Sequence, residues 1–168
     1  MNFSVEILTK LAEDPVPVLN RGYRAEERIA GRRGRIKHWR EIAESITANP
    51  ENASGGGGGP SKKVENCVIK IIELEEEILD EIEALRGLVS ETAEIIATFV
   101  EDPNYKAVLE HRYVEQKRWE EIAVEMGYTF RWTQELHRRA LSALKVSAAE
   151  RLAAAVVAES ALIPENSQ

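Results

Sequence analysis

The sequence predicts an all-α fold, with a long helical hairpin followed by a C-terminal three-helix helix-turn-helix domain. Three observations predict it. Apolar residues recur at helical and heptad spacings, and no stretch shows the alternation of a strand. A glycine run separates a basic segment from a strongly acidic one, so the two can fold back on each other. Near the C-terminus, Gly127 breaks "WEEIAVEMGYTFRWTQELHRRAL" (119–141) into two amphipathic stretches, as a left-handed helix stop would.

Bulk composition narrows the function classes. A chain of 168 residues holds one domain or two small ones. Hydrophobic residues make up 43% and charged residues 30%, the balance of a soluble globular protein. Aromatics contribute only 6%, so core volume must come from Ile, Leu, Val and Ala. The net charge of −7 argues against indiscriminate polyanion binding but leaves room for a local basic face. A single cysteine, Cys67, excludes an internal disulfide and a cysteine-based zinc cluster, and fits a reducing cytoplasm. The start, MNFSVEILTK, lacks the features of a signal peptide. No run approaches the roughly 18 apolar residues of a membrane span.

Residues 1–48 read as N-terminal basic helices. A short helix over 3–12 is stopped by Pro15 and Pro17. A second, over 23–47, places Ile29, Ile36, Trp39, Ala43 and Ile46 on one face. Gly31 and Gly34 weaken it by roughly 1 kcal/mol each relative to alanine. The stretch from Arg21 to Arg40 is the most basic part of the chain.

Residues 49–61, NPENASGGGGGPS, read as a linker, because ordering five consecutive glycines costs too much backbone entropy. A phosphate cradle would need a preceding strand and a Lys-Ser/Thr at fixed spacing, and neither is present.

Residues 62–101 read as one long acidic, coiled-coil-like helix. Val64, Ile71, Ile78 and Leu85 repeat every seven residues. Cys67, Leu74, Leu88 and Ile95 form a second row, and Val68, Ile82, Val89 and Ile96 widen the stripe. The opposite face carries Glu73, Glu75, Glu76, Glu77, Asp80, Glu81 and Glu83. It is either simply solvated or paired with the basic 21–40 segment, and both readings can hold together. The same seam makes 62–101 a candidate homodimer surface.

In the segment 103–145, Asp102 is positioned to cap a helix that Pro103 begins. Tyr105, Val108, Leu109, Tyr113 and Val114 supply its apolar face over 104–116. Trp119, Ile122, Ala123 and Met126 do so for 118–126. Thr129 is a good cap for a helix over 130–145, with Thr133, Leu136, Ala140, Leu141 and Leu144 inward. The Ala-rich tail, 146–168, reads as helical until Pro164.

In a helix-turn-helix unit the last helix lies in the major groove of double-stranded DNA. The inward set leaves Phe130, Arg131, Trp132, Gln134, Glu135, His137 and Arg138 on outer faces. Arginine can fork to guanine and glutamine can bridge adenine. Glu135 can accept from cytosine or position a neighbouring arginine. Arg131 and Gln134 are therefore the expected base readers, with Thr129 at the helix start. Lys117, Arg118 and Arg139 are the expected phosphate contacts. His137 is expected to face phosphate or to pack at the helix surface. The bland alternative is a solvated helix of a three-helix bundle, against which an exposed Trp132 speaks.

The stretch "YKAVLEHRYVEQKRWEEIAVEMGYTFRWTQELHRRALSALK" resembles region 4 of bacterial sigma factors. The residues that carry the resemblance are Leu109, Arg112-Tyr113, Glu120-Glu121-Ile122-Ala123, Gly127, Thr129 and Ala140-Leu141. Trp119 before Glu-Glu, Gly127-Tyr128, and His137 followed by Ala140-Leu141 look like small phage and prophage proteins, including ArpU/RinA-type late-transcription regulators. The likeness covers about residues 20–145. It implies a DNA-binding transcriptional regulator in the cytoplasm of a bacterial host, with RNA polymerase as a further partner. The chain has no room for the upstream sigma domains, so a complete sigma factor is not expected. Phe130 and Trp132 replace residues that are commonly polar in the family, so base preference does not transfer.

Two rivals come from other classes. A small terminase subunit also joins a helix-turn-helix to a coiled coil. A protein adaptor would use the same surface to grip polymerase. An enzyme is not expected: nothing resembles a nucleophile–base pair. No cofactor is implied. No metal is expected either, since His38, His111 and His137 lack ligand spacing with each other or with Cys67.

Overall fold

The computed structural model describes residues 3–53 and 59–162. Among them every regular element is helical. The helices are α1 (Val5–Glu13), α2 (Val16–Leu19), α3 (Arg21–Ala48), α4 (Pro60–Phe99), α5 (Pro103–Leu109), α6 (Trp119–Met126) and α7 (Phe130–Ala161). A short 3-10 turn spans Pro50–Ala53 and a π turn spans Glu110–Val114. Most of the glycine run, 55–58, lies outside the described residues. Among the described residues no helix is long and apolar enough to cross a membrane.

The chain divides into two compact units. Residues 24–87 make one of them. Ile29 and Ile36 of α3 pack with Leu74 and Ile78 of α4, flanked by Trp39, Ile71, Ile82 and Leu85. These are the positions the helical and heptad spacings select. Cys67 is buried in the same unit. Arg28 bonds Glu81, Arg32 bonds Glu77 at 2.8 Å, and Arg40 bonds Glu75 at 3.2 Å. Numbers rise along α3 as they fall along α4, so the paired stretches run antiparallel. The acidic face is thus partly paired across the helices and partly not: Glu73 and Glu83 bond Lys70 and Arg86 on their own helix. Ion pairs open to solvent on at least one side add little stability, about 0–1 kcal/mol each, and here favour the antiparallel register. Val68, expected to widen the stripe, is instead 45% exposed, as are Ile69, Ile72 and Leu79 to similar or greater extent. Gly31 and Gly34 interrupt neither α3 nor its packing, since both sit on its open side.

Residues 1–23 and 88–168 make the second unit. Its core joins Leu8 and Leu11 of α1, Val18 and Leu19 of α2, and Ile95, Ile96 and Phe99 of α4. Val108, Leu109, Tyr113, Ile122, Leu136, Ala140, Leu144 and Ala148 complete it. Two sequence expectations change here. Pro15 and Pro17 do more than stop α1: Pro15 is the cap and Pro17 an early residue of α2, where the missing N–H costs nothing. The N-terminal helices also do not group with α3 alone. Amphipathic α1 lays its apolar face on α7, a pairing between chain ends that no local pattern announces.

The terminal helix is the third change. A recognition helix ending near 145 with a separate tail was expected, yet α7 runs unbroken for 32 residues. Nothing in "SALKVSAAERLAAAVVAESA" breaks a helix, and Ala148, Leu152 and Ala155 extend its buried stripe.

Candidate nucleic-acid interface

Three local devices shape the surface around α6 and α7. Asp102 caps α5, its carboxylate accepting from the N–H groups of Asn104 at 2.8 Å and Tyr105 at 3.1 Å. The chain from Pro103 is not one regular helix to 116 as expected. It widens into the π turn, where Glu115 N–H reaches the Glu110 carbonyl, and Gln116 then takes φ 56°. A non-glycine residue rarely adopts that conformation, and π turns concentrate where a helix must present side chains unusually. The third device is Gly127, with φ 68° and ψ 29°. Tyr128 N–H returns to the Ala123 carbonyl at 2.9 Å, closing α6 in a Schellman-type stop. Thr129 then caps α7, its hydroxyl accepting from Trp132 N–H at 3.2 Å.

At the start of α7, Phe130, Arg131, Trp132 and Gln134 are exposed. Trp132 is 40% exposed and Phe130 43%, high values for such large apolar groups. A shallow concavity is lined by Thr129, Arg131, Trp132, Gln134, Glu135, Arg138 and Arg139. Inside it the side chains are ordered by one another. Arg138 Nε and Nη2 donate to the two oxygens of Glu135 at 2.9 and 2.8 Å. Arg139 Nε donates to Glu135 at 2.8 Å, and its guanidinium lies 5.2 Å from the Trp132 ring centroid. Hydrogen bonds from Arg138, then Arg139, hold the Glu135 carboxyl down at about 2. Of the alternatives open for Glu135, the arrangement is that of a residue positioning neighbouring arginines. Arg118 is exposed at the N-terminus of α6, its backbone N–H bonded by Glu121 at 2.8 Å.

Two expected positions are corrected. His137 does not lie on the outer face. Its Nε2 shares a 2.9 Å hydrogen bond with the Tyr113 hydroxyl, and its ring meets Trp119 edge-on at 4.7 Å. Burial, then the Arg112 charge, pushes its pKa down to about 4. The helical repeat puts 137 one position after Leu136 and four after Thr133, at the rim of the buried stripe, where a ring turns inward if aromatics await it. Lys117 is not free to grip phosphate either. Its ammonium is 2.5 Å from both Glu115 and Glu125, whose hydrogen bonds raise its pKa.

Comparison with protein-family models, with curated proteins and with solved structures finds no match.

The sequence reading gave Glu115 and Glu125 no role, named Arg112 only for the resemblance, and set His111 aside as a metal ligand for want of spacing. Arg112 donates to the Lys117 carbonyl at 3.0 Å and covers Trp119 at 4.9 Å, which ties the π turn to the entry of α6. His111 lies 2.8 Å from Glu115 and 3.6 Å from Glu125. The four-residue step from His111 to Glu115 is visible in sequence, but Glu125 comes from another helix and depends on the fold.

Proposed function

We propose that the chain is a sequence-specific DNA-binding transcriptional regulator, in which α5, α6 and α7 act as a helix-turn-helix and the first turns of α7 enter the major groove. The observation that carries this reading is the exposed row Arg131, Trp132 and Gln134 at the start of α7, directly after the Gly127 stop. That is where a recognition helix meets base edges. Arg131 and Gln134 carry the donor and acceptor patterns that fork to guanine and adenine. Thr129 and Phe130 border the same surface, Arg118 and the Glu135-ordered pair Arg138 and Arg139 supply phosphate contacts, and Glu135 limits how much positive charge they offer. The likeness of 103–145 to sigma region 4 and to phage late-transcription regulators points the same way. In this reading the antiparallel α3 and α4 form a helical hairpin that serves dimerisation or contact with RNA polymerase in a bacterial cytoplasm, and the chain works by binding rather than catalysis.

The exposed aromatics Tyr128, Phe130 and Trp132 favour one second reading, a protein adaptor that presents this surface to polymerase. The exposed Val68, Ile69, Ile72 and Leu79 of α4 would suit the self-association of a small terminase subunit. Selection of bound sequences from a random duplex pool, combined with light-scattering mass, tests all three. A regulator enriches one motif as a monomer or dimer. A large ring indicates the terminase, and absence of DNA binding at physiological salt the adaptor.

A further inference from the structure

The π turn, the Gln116 bend and α6 bring His111 Nδ1, Glu115 and Glu125 to one point, their ligand atoms all within 4.8 Å of one another. Independently of any DNA role, we propose that this cradle binds a divalent metal ion of the zinc type, which displaces the Lys117 ammonium. Three features carry the inference. The first is geometry. Zinc bonds of about 2.0–2.2 Å to nitrogen and oxygen place neighbouring donors roughly 3.3–3.6 Å apart. His111 Nδ1 stands 2.8 Å from the Glu115 oxygen and 3.6 Å from that of Glu125, separations that bracket this range.

The second feature is the ammonium itself. Lys117 Nζ lies 2.5 Å from each carboxylate and 3.3 Å from the imidazole nitrogen, so a cation already marks the centre of the cradle. Its single charge leaves the two carboxylates one charge short of neutrality, and a divalent ion supplies the difference. The lysine stem is flexible and its head strongly hydrated, so it moves to solvent once a divalent ion takes over the two carboxylates. The third feature is the donor set. One imidazole and two carboxylates suit zinc and its first-row neighbours, whereas magnesium prefers oxygen donors alone and retains its waters. The backbone beneath is fixed: Lys117 N–H bonds the His111 carbonyl at 2.9 Å and Glu115 N–H that of Glu110 at 3.0 Å.

The test is calorimetric titration of the full chain with Zn2+, and absorption spectroscopy with Co2+ as the coloured substitute. One ion per chain is expected, with the visible bands of a low-coordinate cobalt site. His111→Ala and Glu125→Gln should each weaken binding at least about tenfold, because each removes one of three protein ligands. Lys117→Met, which keeps the stem and removes the competing charge, should strengthen it at least about tenfold. Far-UV circular dichroism verifies that each variant is folded. Absence of saturable binding in both the wild type and Lys117→Met overturns the proposal. So does binding that survives His111→Ala with Glu125→Gln, or that excess Mg2+ abolishes, since acidic side chains elsewhere would then hold the ion.

Discussion

The Tyr113 hydroxyl and His137 Nε2 meet at 2.9 Å beneath the exposed start of α7. Both groups are held away from ionisation: burial pushes the tyrosine up to about 12 and the histidine down to about 4. The unfolded chain, with histidine near its ordinary value of about 6.5, binds the proton the folded chain refuses. Stability from this site is therefore complete above pH ~6.5 and falls as the pH drops toward about 4. The loss is on the order of 2–3 kcal/mol. Urea unfolding from neutral pH down to the acid side should show it. His137→Gln, which cannot take up that proton, should remove this component of the slope; an unchanged slope would mean that the ring is not buried.

Glu135 restrains two arginines at once, so Glu135→Gln should release both for phosphate. Affinity for unrelated duplexes is expected to rise several-fold at low salt. The plot of log affinity against log salt should steepen by about one unit for each additional phosphate contact. Fluorescence anisotropy across a salt series measures both. A fall in affinity would indicate that the glutamate itself contacts the duplex.

Under the proposed DNA-binding reading, base readers and phosphate holders should separate. Arg131→Ala is expected to cost about 1–3 kcal/mol on the best site and to relax preference at one position. Arg118→Ala should weaken all sequences alike and flatten the salt slope by about one unit. Lys117→Ala should leave that slope unchanged, because its charge is already taken up by Glu115 and Glu125. If neither arginine substitution alters binding, the adaptor reading replaces the regulator.

Gly31 and Gly34 sit in the middle of α3, and a Cβ at either would meet nothing within 4 Å. Alanine at each is expected to add about 0.5–1 kcal/mol, raising the melting temperature by a few degrees. A loss of stability would reveal a partner against that side of the helix.

Ile78 is buried in one cluster with Ile29, Ile36 and Leu74, so Ile78→Asp strands a charge in the seam and should cost on the order of 3 kcal/mol. An unchanged melting curve would show that the seam is open in solution.

What the sequence revealed was the chemistry that acts within a few residues. Gly127 is left-handed, and Thr129 and Asp102 are caps, because each role is set by the residue's own backbone preference and nearest N–H groups. The pairing of α3 with α4 was legible too, since opposite charges and matching apolar rows stand on either side of the linker. What escaped was decided by distant parts of the chain. The inward turn of His137 depends on Tyr113 and Trp119. The capture of Lys117 depends on Glu125, and the seat of α1 depends on α7. The π turn has no composition signature at all: "EHRYV" would continue an ordinary helix if the residues around it allowed.

The unbroken course of α7 makes it a strut. Its first turn offers Arg131, while its far half, around Leu152 and Ala155, packs into the core with Phe3 and Leu8 at the start of α1. At 1.5 Å per residue these ends are about 30–36 Å apart, with no break in the helix between them. The seat of α1 and the exposed first turn are thus parts of one continuous rod, and neither can be repositioned without the other.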